Sequence, residues 1–177
     1  MTVNGTFNIE DNFLAQGDFD KIQERMGTAK SSSFPWYLRY RYYAGEGNEL
    51  DSYQFTHTLY EYGAPYSSDF QYLDSLIDLL QPMTVWRITA NLLTRLPIPV
   101  ENEFHVDMPD LSEEDQKNWT TAVLYMNTND GYTEFKDGTK IESVANRFVS
   151  FPANWMHRGT SCTDQQIRVV INFNYFK

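Results

Sequence analysis

The order of apolar and polar positions places helices toward the front of the chain and strands behind them. Phe19, Ile22 and Met26 recur at helical spacing, with Asp18 as an N-cap and Gly27 as a stop, so a short amphipathic helix is expected there. Ser31-Ser32-Ser33 break the pattern. The aromatic-rich stretch from Phe34 to Tyr43 reads as a strand closed by a turn at Gly45-Glu46-Gly47-Asn48, and residues 53–60 as a further, less regular strand. Apolar residues at 70, 73, 76, 77 and 80 predict a second helix over residues 69–80, ended by Gln81-Pro82 and packed on the outside of a sheet.

Beyond Pro82 the period becomes two. In residues 84–93, Val85, Arg87, Thr89 and Asn91 share one face and Trp86, Ile88, Ala90 and Leu92 the other; the second face is apolar, and the first looks onto either a pocket or solvent. Pro97 and Pro99 keep the approach to His105 extended. Residues 108–118 read as a polar loop whose acids Asp110, Glu113, Glu114 and Asp115 are solvated, because nothing fixes them on a rigid element. Strands are expected over 120–127, 141–144, 146–152 and 167–173, with turn residues at Asn129-Asp130-Gly131 and a hairpin at Asp137-Gly138. This pattern indicates a mainly β fold, a double-stranded β-helix (jelly roll) braced by N-terminal helices. Residues 1–82 would support a β-core over 83–177 in one domain, which 177 residues of 41% apolar content can close without disulfides.

Charge and cysteine content narrow the function. A formal charge of −10 argues against gripping a nucleic-acid backbone, which wants a basic groove. Cys162 is the only cysteine, so a disulfide framework and a multi-thiolate zinc site are excluded, and its polar neighbours make it an ordinary loop thiol. Met1 to Gly5 lack a charged start and an apolar core, and no apolar run is long enough to span a bilayer. A cytoplasmic protein in a reducing compartment, with no membrane partner, is expected.

The chemistry lies in His105-Val106-Asp107, His157 and Arg168. Two side chains two apart on a strand share a face, so His105 and Asp107 can reach one ion, and His157 from a distant strand completes a triangle with three positions left open. Such a 2-His-1-carboxylate set is what non-haem Fe(II) oxygenases use. Arg168 stands in the run Ile167-Arg168-Val169-Val170-Ile171-Asn172-Phe173, where a buried guanidinium would be costly without an anion. A carboxylate is the best partner for its planar fork, Asn172 faces the same way, and an internal Glu or Asp is the plainer alternative. His57 matches no ligand position and reads as structural or surface.

The order of these parts, with Gly131-Tyr132-Thr133-Glu134-Phe135 and Phe151-Pro152 between them, resembles the prolyl-hydroxylase-like branch of the 2-oxoglutarate and Fe(II)-dependent dioxygenases over roughly residues 83 to 176. The resemblance implies Fe(II) on His105, Asp107 and His157, and 2-oxoglutarate anchored by Arg168 with Tyr125, for which an aromatic packed in the barrel with its hydroxyl satisfied elsewhere is the alternative. Asn91 and Thr133 are further cosubstrate contacts on the same basis, with hairpin packing the alternative account of Thr133. Relatives often carry a hydroxyl residue where this chain has Val170, which leaves the second partner of the carboxylate to Tyr125 or a water. The implied reaction consumes dioxygen, releases succinate and carbon dioxide, and hydroxylates a C–H bond; retention of Asp107 favours this over halogenation. A protein or peptide side chain is the first substrate expected and a free small molecule the second, with Trp155 and residues 37–43 either shaping the entrance or packing in the core. Compact members of this kind occur in bacteriophages and bacteria. The competing class is a non-enzymatic phage jelly-roll, structural or binding, whose three residues are coincidental or hold a structural metal; a zinc site of that kind would want a fourth protein ligand.

Overall fold

The computed structural model describes residues 7–26, 33–40 and 53–177. Strands dominate, in the order β1 (Asn8–Glu10), α1 (Gln16–Met26), β2 (Tyr37–Tyr40), β3 (Tyr53–Glu61), β4 (Ala64–Pro65), a 3-10 helix (Ser68–Leu73), α2 (Asp74–Leu80) and β5 (Thr84–Thr94). There follow α3 (Glu113–Gln116), β6 (Thr120–Tyr125), β7 (Asn129–Phe135), β8 (Lys140–Ser143), β9 (Phe148–Pro152), β10 (His157–Gly159) and β11 (Ile167–Phe176). The major sheet runs β1-β9-β6-β11-β5-β3-β2 with β4 paired to β3, and the minor sheet runs β10-β7-β8. Single bridges at Glu101↔Thr160 and His105↔His157 lay the segment ahead of Asp107 along β10, so the minor sheet gains a fourth edge. Two antiparallel sheets facing each other in this way are the jelly roll.

Strand alternation gives the major sheet two different faces. Ile88, Ala90 and Leu92 of β5, with Val169, Ile171 and Phe173 of β11, turn outward to meet Phe19, Ile22 and Met26 of α1 and Leu73, Leu76 and Leu80 of the second helical segment. Between the sheets lies a smaller cluster of Val123, Tyr125, Phe135, Ile141, Val149, Phe151, Trp155 and Val170. Arg25 pairs with Asp69 at 2.6 Å and ties α1 to the 3-10 helix. Asn146, at φ 61, bonds both the N–H and the C=O of Leu14 and clasps the N-terminal segment to the β-core. Among the described residues no helix is long and apolar enough to cross a membrane.

Several expectations shift in detail. The first helix starts at Gln16, since Asp18 and Phe19 both donate to Ala15 O; Asp18 therefore sits inside the first turn, paired with Lys21 at 2.7 Å. Gly27 and residues 41–50, which carry the expected stop and turn, lie outside the described residues. The second helix is a 3-10 turn followed by α2, ended by Gln81 at φ 44. The polar loop holds a helical turn, α3, capped by Ser112, whose hydroxyl accepts from Asp115 N; its acids are exposed as expected. Asn129-Asp130-Gly131 open β7 instead of forming a turn. His57 is buried, its Nδ1 2.6 Å from Pro35 O, and Trp155 belongs to the core.

Candidate active site

The bridge between His105 and His157 is a close pair in which each N–H donates to the other's C=O, at 2.9 and 3.0 Å. It sets the two imidazoles side by side, ring centroids 4.9 Å apart. His105 Nδ1 lies 2.9 Å from Glu103 O and His157 Nδ1 3.0 Å from Trp155 O. A carbonyl only accepts, so each Nδ1 carries the proton and each Nε2 keeps its lone pair. Both Nε2 atoms face Asp107 Oδ1, at 3.6 and 3.7 Å.

The protonation states suit an ion. Burial pushes the Asp107 carboxyl up, but the two imidazoles, when protonated in the metal-free site, and the Asn174 amide outweigh it and hold the group well below the usual carboxylate range. Burial, opposed by Asp107 and reinforced by His105, pushes the His157 imidazole down. An ionised carboxylate beside an imidazole that burial disposes to lose its proton suits a divalent metal, which binds carboxylate and neutral imidazole. His157 Nε2 is buried with no hydrogen-bond partner, an orphaned acceptor that an ion would satisfy. The ligand atoms of the three residues lie within 4.8 Å of one another. Ligands about 2.1 Å from one ion at right angles stand about 3 Å apart, so Asp107 Oδ1 would close by little more than half an ångström on each imidazole and the two imidazoles would draw together as well. These residues fit ferrous iron. Among the described residues only these three gather in this way, one short of a structural zinc set.

Support comes from the sheet behind. Asn174 Nδ2 donates to Asp107 Oδ2 at 3.0 Å and to Thr121 Oγ1 at 3.1 Å, and Arg87 Nη2 donates to the Asp107 carbonyl at 3.0 Å. Neither residue was anticipated as part of the site. Asn174 carried a signal, for it follows Arg168 and Asn172 on the same face of an otherwise apolar strand.

The triad opens on a cavity of about 530 Å³ that Arg168, Asn91, Thr133 and Asn172 also line. Arg168 is 3% exposed; its Nε donates to Ser143 Oγ at 2.9 Å, and its Nη2 lies 3.5 Å from Thr133 Oγ1. No acid among the described residues pairs with it, and burial pushes its guanidinium down. Its stem passes close over Gly131, where an added Cβ would fall 2.6 Å from Arg168 Cδ, so this glycine is required by a neighbour and not by a turn. Asn172 Oδ1 is buried without a partner, and Asn91 Nδ2 lies 3.5 Å from Thr89 O. Tyr125 does not line the cavity; fully buried behind it, its hydroxyl donates to Thr133 Oγ1 at 2.8 Å.

No family model and no curated protein matches the chain. Solved structures do. A prolyl-4-hydroxylase of Pseudomonas putida superposes with a TM-score of 0.59 at 16% identity, covering 98% of this chain and 94% of that one. The non-haem, α-ketoglutarate-dependent epimerase SnoN of nogalamycin biosynthesis gives 0.67 at 12% identity, covering 98% and 78%. HygX of Streptomyces hygroscopicus, solved with nickel and 2-oxoglutarate bound, gives 0.59 at 10% identity, covering 97% and 83%. The chain thus has the jelly-roll fold of the 2-oxoglutarate- and Fe(II)-dependent oxygenases, with prolyl hydroxylases among its structural neighbours.

Proposed function

We propose that the protein is an Fe(II)- and 2-oxoglutarate-dependent dioxygenase that hydroxylates a C–H bond and releases succinate and carbon dioxide. One observation carries this reading: a buried guanidinium and a three-ligand set open on the same cavity, and among the described residues the first has no acid of its own and the second leaves His157 Nε2 without a partner. His105, Asp107 and His157 would hold the iron, which when bound supplies the one-electron chemistry with dioxygen that side chains lack.

The protein's own groups bind, orient and desolvate. Arg168 is a preformed receptor for the far carboxylate of 2-oxoglutarate, its fork already held by Ser143. Tyr125 donates into Thr133 Oγ1, so the Thr133 proton is left to point at an anion beside Arg168. Tyr125 thereby acts through Thr133 as a positioning residue. Asn174 keeps Asp107 Oδ2 engaged and leaves Oδ1 for the ion. The free thiol Cys162 and a ferrous centre both suit a reducing cytoplasm.

A peptide side chain is the substrate suggested by the prolyl-hydroxylase neighbours, one of which was solved with a peptide fragment. A free small molecule is the second reading, and the polar lining of the cavity favours it. The enzymatic reading is tested by supplying Fe(II), ascorbate and 2-oxoglutarate and measuring succinate, even uncoupled from substrate. Succinate release that Asp107→Ala abolishes supports the assignment. No succinate from the parent protein, or equal turnover in the variant, refutes it.

A further inference from the structure

We infer that the β3 side of the cavity is a subsite for a small, uncharged, hydroxyl-rich substrate, of the polyol, sugar or nucleoside class; this rests on the oxygenase reading above. Cross-strand pairs Thr56↔Asn91 and Thr58↔Thr89 set four neutral polar side chains on the cavity face, while Phe55↔Leu92 and His57↔Ala90 turn the other way. Burying hydroxyls is unfavourable unless something bonds them. Thr56 is buried, Thr58 and Thr89 are half-buried, and none of their hydroxyls has a protein partner among the described residues, so this face presents free hydroxyls to whatever enters the cavity.

The cosubstrate does not reach β3. Arg168 and Asn174 both stand on β11, so a five-carbon dicarboxylate stretched from the guanidinium to the triad runs along that strand. β3 lies two strands away, across β5, at roughly 10 Å. That leaves Thr56 and Thr58 to the substrate, with Thr89 on β5 facing Thr58 from the strand beside β11. No Phe, Tyr or Trp lines the cavity among the described residues, and the lining they do provide is mostly polar, which suits hydroxyl groups better than a ring. The other charges of the lining offset, Glu61 and Glu103 against Arg39 and Arg87, which suits an uncharged molecule.

Ligand-observed NMR on the full chain as purified compares methyl glucoside, myo-inositol and uridine with a blocked prolinamide and decanoate. At least one hydroxyl-rich probe is expected to bind, and neither of the others. Thr58→Val combined with Thr89→Val removes two hydroxyls at nearly constant shape and weakens that probe about tenfold. Thr58→Ser with Thr89→Ser restores it, and melting curves matching the parent exclude misfolding. Preferential binding of the prolinamide or decanoate, no binding of any hydroxyl-rich probe, or binding that survives the two valines overturns the inference. Succinate release is scored separately: probe binding that responds to the valines without succinate overturns the oxygenase reading alone, and succinate without probe binding overturns the subsite alone.

Discussion

Replacing Arg168 with Met separates an anion receptor from a structural guanidinium, because the two roles differ in which free energy the change alters. The methionine keeps a stem of similar length against Gly131 and removes only the charged fork. In the protein without cosubstrate, Ser143 Oγ loses a donor at 2.9 Å, a cost of about 1 kcal/mol, while relief of a buried cation that no acid among the described residues pairs acts in the opposite direction and at least offsets it. The melting temperature should therefore stay within about 5 °C of the parent or rise. Binding behaves differently. Removing one partner of a buried ion pair costs about 3–5 kcal/mol, so the 2-oxoglutarate dissociation constant should rise by roughly two to three and a half orders of magnitude. Calorimetric titration of 2-oxoglutarate into the Fe(II)-loaded protein under nitrogen measures the second quantity, and thermal melting the first. A guanidinium held by an internal acid would give the reverse: a loss of about 10 °C or more, with cosubstrate affinity little changed. That outcome would remove Arg168 from the site.

The other expectations concern the ion and the wall around it. Asn174→Leu deletes the donor to Asp107 Oδ2 and should weaken Mn(II) or Fe(II) binding about 10- to 100-fold with the fold intact; an unchanged metal titration would contradict the supporting role. Gly131→Ala forces a Cβ to 2.6 Å from Arg168 Cδ and 2.9 Å from Ser161 O, so a loss of about 1–3 kcal/mol and weaker 2-oxoglutarate binding are expected together, and a variant that melts and binds like the parent would show that the stem has room. In metal-free protein the folded His157 resists protonation, because burial lowers its pKa, while the unfolded chain takes up the proton near pH 6.5. Its stabilising contribution is complete above about pH 6.5 and is lost as pH falls toward the folded value. Urea titrations should show stability declining from pH 7 to 5, with a shallower slope in His157→Gln; equal slopes would place the proton uptake elsewhere.

What was legible in the chain follows from how local each cause is. His105 and Asp107 stand two apart, so one strand suffices to put them together, and Arg168 is conspicuous because a cation interrupts Ile, Val and Phe. The helical faces through Phe19, Ile22 and Met26 and through Leu73, Leu76 and Leu80 were readable for the same reason: the period is a property of the segment. Gly131 was misread because Asn-Asp-Gly has the local chemistry of a turn, whereas its cause is the Arg168 stem passing over it from β11. α3 was missed because four residues give no period to detect; only the Ser112 cap marks it. Tyr125 shows a subtler limit. The resemblance placed it at the cosubstrate, but its hydroxyl ends on Thr133, a relation that requires β6 and β7 to be seen together.

The alternation of β11 explains why a jelly roll can hold such a site steady. Arg168, Asn172 and Asn174 face the cavity at every second position, with Val170 between them, while Val169, Ile171 and Phe173 are fully packed under the helices. A shift of the strand by one residue would exchange the two sets and bury a guanidinium and two amides in hydrocarbon. Register is therefore enforced by the apolar face, and the polar face inherits its precision without stabilising the fold itself. On β3 and β5 the same division places threonines and Asn91 toward the cavity and Leu59, Ile88, Ala90 and Leu92 toward the helices. Polar side chains on the inner face can thus change without disturbing the strands, because the outer face keeps them in place.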